Sequence, residues 1–316
     1  MKKTISLLMV LSLVLGLCAC ASAEEKTWQI GILQFVQHPA LDEATRGFRE
    51  AITEKLGDKV TFIVENASGE VPNCATIASQ LVSRQVDLIM ANATPPLQAC
   101  SNATGDIPVL GTSVTDYQAA LEIDLNADGA TGMNVSGTSD LAPLDGQANM
   151  VKELFPEAKT VGLLYCSGEA NSIFQIKAME GYLTDLGYEC RRYGFNDSND
   201  LASVTQSATE CDIIYIPTDN TAANNTEAIA NVVLPAQVPV VAGEEGVCKG
   251  CGVATLTISY YDLGRKTGEM ACEILTGGAD ISAMPIAYAP QVTRKYNAAN
   301  AAELGVAIPA DYQAID

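Results

Sequence analysis

Basic side chains are scarce in this chain of 316 residues: 18 lysines and arginines stand against 38 aspartates and glutamates, a formal net charge of −20. A surface that grips a phosphate backbone needs clustered Lys and Arg, so nucleic acid is not among the expected partners. Histidine and tryptophan occur once each, as His38 and Trp28. No G-x-G-x-x-G, P-loop or G-x-S-x-G follows an apolar run, which removes the usual marks of dinucleotide, nucleotide and serine-hydrolase chemistry. Polybasic and low-complexity stretches are missing, and the composition fits neither collagen, coiled coil nor a multi-span membrane protein. With 48% hydrophobic residues the chain is too apolar for acidic disorder, and its length suits about two domains.

What is present begins with an address. Lys2 and Lys3 precede an apolar run from Ile5 to Leu17 that is too short to span a bilayer, as in a signal peptide. Leu17-Cys18-Ala19-Cys20 then resembles a bacterial lipobox with Cys20 as the lipidated residue, while Ala21-Ser22-Ala23 offers an ordinary cleavage site. The expectation is a signal peptide over 1–19, an anchor linker over 20–26, and an exported protein. It is held at the membrane by lipid, or is periplasmic if cleaved without it. An acidic body of this kind stays in water, away from anionic lipid heads.

Eight further cysteines follow, at positions 74, 100, 166, 190, 211, 248, 251 and 272. Their spacing shows no regular disulfide framework, and several lie in apolar stretches where a thiol packs as a small hydrophobe. Cys248-Lys249-Gly250-Cys251 is the one local pair. It lacks the second pair or nearby His that zinc requires, and Gly250 with Gly252 suggests a loop of local structural value. No metal and no cofactor is expected.

Strand-like apolar runs alternate with helical patterns along the rest. WQIGILQF, VTFIV, VDLIM and IPVL read as strands, separated by helices over 41–56, 72–84 and 95–103. A Gly-, Asp- and Asn-rich stretch over 126–137 reads as a loop. The rhythm then restarts: helix 144–154, strand 161–165, helix 172–186, strand 188–193, helix 201–208, strand 213–216, helix 222–233, strand 238–242. The fold class is therefore α/β, with two parallel sheets, each carrying helices on both faces. A last helix over 261–275 and a strand–helix piece over 292–304 are best returned to the two units. This gives a first lobe of 27–139 and 258–288 and a second of 140–257 and 289–316.

Ligands of open parallel sheets bind beyond the carboxyl ends of the strands, where helices begin with free N–H groups. Reading only those positions gives Gln34 and Phe35, then Asn92, Thr94 and Pro95, then Thr112, Ser113 and Thr115 in the first lobe. The second gives Ser167, Glu169, Ala170, Asn171 and Ser172, then Thr218, Asp219 and Asn220, then Glu244. Hydroxyls and helix N-termini in the first lobe suit a carboxylate, whereas Glu169, Asp219 and Glu244 suit an ammonium group. Many of these residue types are also ordinary helix caps. Phe35 and Tyr260 are the aromatic candidates for stacking on a ring. Trp28 reads as a packing residue, and His38 has no nucleophile in a recognised motif beside it.

Six segments in fixed order carry a resemblance: IGILQFVQHPALDEATRGF ending at Phe48, ANATPPLQ (91–98), GTSVTD (111–116), SGEANS (167–172), PTDNT (217–221) and SYYDLGRKTG (259–268). They resemble the tryptophan/tyrosine-type substrate-binding proteins of ABC transporters. The resemblance implies a type I periplasmic-binding-protein fold, two Rossmann-like lobes joined by a multi-strand hinge. It implies a monomeric receptor, not an enzyme, that delivers a small zwitterion, an aromatic L-amino acid, to a permease and its ATPase. It also implies that Thr94, Ser113 and Thr115 hold a carboxylate and Asp219 an α-amino group, with Glu169 to Ser172 and Tyr260 completing the wall. The cysteines at 166, 248 and 251 depart from the family pattern. A ligand-sensing module feeding a signalling partner would use the same cleft and is the alternative reading.

Overall fold

The computed structural model describes residues 26–289 and 291–315, so the signal-peptide and Cys20 readings lie outside the described residues. The first half alternates strand and helix: β1 (Trp28–Gln34), α1 (Pro39–Leu56), β2 (Val60–Asn66), α2 (Val71–Ser83), β3 (Leu88–Asn92), α3 (Thr94–Ala103), β4 (Val109–Val114), α4 (Tyr117–Leu121) and β5 (Val135–Ser139). The second half repeats the pattern: α5 (Leu144–Leu154), β6 (Thr160–Cys166), α6 (Ala170–Asp185), β7 (Glu189–Phe195), α7 (Ser198–Ala208), β8 (Ile213–Ile216), α8 (Asn220–Asn224), α9 (Thr226–Val233), β9 (Val240–Ala242), α10 (Glu245–Cys251) and β10 (Ala254–Thr257). The long α11 (Tyr260–Gly277), β11 (Ala287–Tyr288), β12 (Thr293–Tyr296), α12 (Ala298–Glu303) and β13 (Gln313–Ala314) complete it.

Two sheets result. The first has the order β11-β5-β4-β3-β1-β2 and the second β13-β12-β10-β9-β8-β6-β7. Every pairing is parallel except β10 with β12. Central strands such as β3 (LIMAN) and β8 (IIYI) are buried along their whole length, as strands covered by helices on both faces must be. Each sheet accordingly carries two apolar layers, one per face. A smaller cluster of Ala40, Ala44, Ala142, Ile258, Tyr260 and Leu263 sits where the chain crosses between lobes. The crossings follow β5, β10 and β11, so the connection between lobes is multi-stranded, as in the type I periplasmic-binding-protein fold.

Helix α11 returns to the first lobe and packs on α1 through glycine. A Cβ on Gly264 would lie 2.0 Å from the Ala44 carbonyl oxygen, so only hydrogen fits between the two backbones. Among the described residues no helix is long and apolar enough to cross a membrane.

Three readings of local structure are corrected. The stretch over 126–137 is not all loop: Val135–Ser139 is a fully buried strand, β5. The expected helix over 222–233 is two helices, broken at Asn225. The CxxC pair lies on a helix, not a loop: α10 is capped by Glu244, which accepts from the Gly246 and Val247 N–H groups, and buries Val247, Cys248 and Cys251. Both thiols are free.

Candidate functional site

The carboxyl ends of both sheets face one another, and the loops leaving them enclose a small cavity of about 10 Å³. His38 and Leu41 come from the turn and helix after β1, and Ser113 and Thr115 from the end of β4. Asp140 follows β5, Asn171 opens α6, Thr218, Asp219 and Asn220 follow β8, Glu244 follows β9 and Tyr260 opens α11. The lobes touch directly: His38 Nε2 and Asn220 Oδ1 lie 3.3 Å apart.

Local rules put these side chains in place. Asp219 is the N-cap of α8, its Oδ1 accepting from the Ala222 N–H at 2.8 Å. Its Oδ2 accepts from the Cys166 N–H at 2.6 Å and the Ser172 hydroxyl at 2.8 Å. Glu244 is the N-cap of α10. The two caps share one cavity because Gly243 lets their loops meet: a Cβ there would be 2.6 Å from the Thr218 nitrogen. On the opposite wall Ser113 takes a left-handed φ of 54° at an irregularity in the β4–β5 register. A serine held in that region marks a position where surrounding structure enforces strain. Its hydroxyl is buried with no partner.

Carboxylates dominate the electrostatics. Burial pushes Asp140 up to about 6, against hydrogen bonds from Tyr260 and Thr115. Burial, then the charge of Glu169, pushes Asp219 up to about 7. Burial likewise raises Glu244 to about 7, opposed by the α10 N–H groups. His38 is shifted down by burial, against the Asn220 contact and the charges of Glu169 and Asp42. No Lys or Arg lines the cavity. Three buried carboxyls without a cation favour protons; an ammonium in their midst would restore their charge.

Of the sequence-derived candidates, Ser113, Thr115, Asn171, Thr218, Asp219, Asn220, Glu244 and Tyr260 line this cavity. Phe35 and Glu169 instead line an adjoining space of about 350 Å³, open to solvent between the lobes. The Glu169 carboxylate accepts from Asn171, Asn220 and Thr221, so its lone pairs are occupied within its own lobe. Ser172 reaches the site through Asp219, to which it donates, and Asn171, from which it accepts, and Ala170 is the first residue of α6.

The remaining candidates stand apart. Gln34 accepts from Thr45 and donates to Asp42 and the Val36 carbonyl, pinning the β1–α1 turn along an outer groove. Asn92 donates to the Leu41 carbonyl and Thr45. Thr112 is bonded within the sheet to Thr138, and Ser167 ties β6 to Phe195. Pro95 lies on an outer face by Gln98. Thr94 is buried outside the lining with an unpartnered hydroxyl. Sequence reasoning missed Asp140 and did not place His38 at the cavity. It also overstated the division of charge, because Asp140 adds a carboxylate on the first lobe's side.

A family model for ABC transporter substrate binding proteins matches residues 29–313. The chain belongs to that family. A protein from Clostridioides difficile named tyrosine-binding protein is 38% identical over 258 residues, 80% of this chain and 74% of the relative. An ABC domain from Streptococcus pneumoniae solved in complex with L-Trp superposes with a TM-score of 0.87 at 31% identity, covering 92% of this chain and all of the other. A ligand-free, open substrate-binding protein with adhesive properties from Clostridium difficile reaches a TM-score of only 0.70. That holds although it is 35% identical and covers 92% of this chain and 99% of its own. The less identical, ligand-bound relative fits better, which agrees with the closed cleft and the His38–Asn220 contact. A leucine-binding protein from Thermotoga maritima, 16% identical with a TM-score of 0.59 over 81% of this chain and 85% of the other, shares the fold.

Proposed function

We propose that this family member is the extracytoplasmic receptor of an importer and closes on a zwitterionic aromatic L-amino acid. The observation that carries this reading is the convergence of Asp140, Asp219 and Glu244 on one closed cavity that also receives Ser113 and Thr115 but no Lys or Arg. The carboxylates take the α-ammonium, and the Ser113 hydroxyl, which has no partner in the protein, takes the α-carboxylate. The relatives named for tyrosine and solved with L-Trp support the same ligand class.

Binding shifts the population from open to closed and makes or breaks no covalent bond. The closed form hands the amino acid to a permease driven by its ATPase, with the receptor held at the membrane through lipid on Cys20. Calorimetry against the twenty amino acids tests the ligand: saturable heat with Trp, Tyr or Phe is expected, and silence from all three rejects the class. Intact mass of membrane-extracted protein tests the anchor, and a mature N-terminus at Glu24 without lipid rules it out.

A further inference from the structure

Among the described residues four carboxyls are buried, those of Asp140, Glu169, Asp219 and Glu244, and all four lie at the cleft between the lobes. No lysine or arginine among the described residues is buried. The acids are held by neutral donors alone. Asp140 accepts from the Thr115 and Tyr260 hydroxyls. Asp219 accepts from the Ser172 hydroxyl and the Cys166 and Ala222 N–H groups, and Glu244 from the Gly246 and Val247 N–H groups. Glu169 accepts from Asn171, Asn220 and Thr221. Such bonds ease the burial of a carboxylate, but none of them cancels its charge.

Neighbouring bases do not supply the missing cation. Lys295, on a groove that Glu244 also lines, is paired with Glu245 at 2.6 Å. His38 is the one basic side chain lining the cavity, and burial disfavours its charged form. When ionised, Asp140, Asp219 and Glu244 therefore present three negative charges to whatever enters.

A zwitterion suits only part of this field. Its ammonium is drawn to the three acids, but its own carboxylate adds a fourth like charge. The cavity, at about 10 Å³, has room for one water-sized head group, so a carboxylate admitted beside the ammonium shares the same confined space. The donor it finds there is the Ser113 hydroxyl, a neutral group. Like charges set side by side in a desolvated contact act against binding. A primary amine without the carboxylate keeps the attraction, drops the repulsion and brings one net positive charge where the zwitterion brings none.

We propose that the cavity bounded by Asp140, Asp219 and Glu244 also takes aromatic primary amines that lack the α-carboxylate, and holds each at least as tightly as the amino acid it otherwise matches. The inference goes beyond the amino-acid reading above and rests on it for the place of the ammonium.

Calorimetry on the full chain with tyramine against tyrosine, and tryptamine against tryptophan, tests it. Each pair shares its ring and ammonium and differs in the carboxylate. The measurement is made at pH 7.5, above the values of all three acids. Each amine is expected to bind as tightly as its amino acid or more so. Asp140→Asn removes one negative charge at nearly constant size, and should move the amine-to-amino-acid affinity ratio toward the amino acid by about tenfold or more. Should that variant fail to fold, the comparison of pairs on the unaltered chain decides alone. Weaker binding of either amine than of its amino acid, or a ratio that Asp140→Asn leaves unchanged, overturns the proposal while amino-acid binding stands. Heat from the amines with silence from all twenty amino acids would uphold the proposal and bring down the amino-acid reading. Silence from both sets brings down both.

Discussion

The Tyr260 hydroxyl donates to Asp140 Oδ2 at 2.9 Å across 120 residues of sequence. Tyr260 opens α11 as the chain re-enters the first lobe, and Asp140 follows β5 where the chain first leaves it. The bond therefore ties two of the interlobe crossings at the wall of the cavity. Tyr260→Phe keeps the ring and removes the donor, leaving Thr115 as the remaining hydroxyl on Asp140, at 3.0 Å. Loss of one charge-assisted bond is worth about 1.5–3 kcal/mol. The expected outcome is a roughly ten- to hundredfold loss of ligand affinity by calorimetry. Equal affinities would show that Asp140 is held by other means.

The acids that stay buried make binding depend on pH. Asp140 at about 6 and Asp219 and Glu244 at about 7 lie above their ordinary values, so the ligand-free protein holds more protons than the unfolded chain. That stabilisation is complete below the ordinary carboxyl range near pH 4 and is lost as pH rises through 6–7. An ammonium prefers the ionised acids, so binding releases protons and affinity increases from pH 5 to 7.5. Calorimetry at pH 6 in buffers of different ionisation enthalpy reads the release directly. Proton uptake, or affinity falling with pH, would contradict the role given to these acids.

Much of this arrangement was legible because the fold repeats a simple grammar. The runs IIYI and VGLLY mark central strands, and residues just past them (Asn171, Thr218, Asp219, Asn220) line the cavity. Asp140 escaped notice because its strand, VSGTS, has no apolar run. Val135–Ser139 is buried by both faces of the sheet, and Gly137, at φ 141°, lies against the Gly111 backbone where no side chain fits. The side-chain bonds of Gln34 and Asn92 were equally hidden, since a polar residue after a strand reads the same whether it meets a guest or pins a turn. Glu169 shows the limit most clearly. Its carboxylate was legible, but the five donors already on it come from residues 2 to 52 positions away.

Asp219 carries the heaviest demand among the acids. Asp219→Asn keeps the shape but turns one carboxylate oxygen into a donor, set against either the Ala222 N–H or the Cys166 N–H and Ser172 hydroxyl. Removing one partner of a buried charged contact typically costs about 2–5 kcal/mol. Ligand affinity should fall by that amount, and the melting temperature should fall as well because one of the buried donors loses its acceptor. A variant with reduced stability but unchanged affinity would remove Asp219 from ammonium recognition and leave it as a cap alone.

The α1–α11 contact sets a purely mechanical test. Gly264→Ala would drive a methyl group to within 2.0 Å of the Ala44 carbonyl oxygen, a backbone atom that cannot rotate away. Forcing methylenes into packed cores costs about 1–3 kcal/mol, and here two helices must separate to admit one. Thermal unfolding should show a lower melting temperature for this variant. Gly277→Ala, on the same helix with open space around it, is the control and should not be destabilised. Equal melting temperatures for both variants would mean that the helices do not approach this closely.

The thiols offer a last check, one that bears on the whole fold. Burial raises Cys74, Cys100 and Cys166 to about 12, so almost no reactive thiolate forms on them at pH 8. Cys248 and Cys251 are shifted upward for the same reason and lie fully inside the second lobe. Cys190 is the exception among the free cysteines in being only half-buried. Alkylation of the native protein followed by peptide mapping should therefore label Cys190 first, with the other seven reacting only as the chain unfolds. Because access and thiolate formation both depend on the packing around each sulfur, fast labelling at Cys248 or Cys251 would contradict the capped, buried helix that supports Glu244. A mass lower by two hydrogens in that peptide would show instead that the pair is joined, a state the free thiols of this structure do not contain.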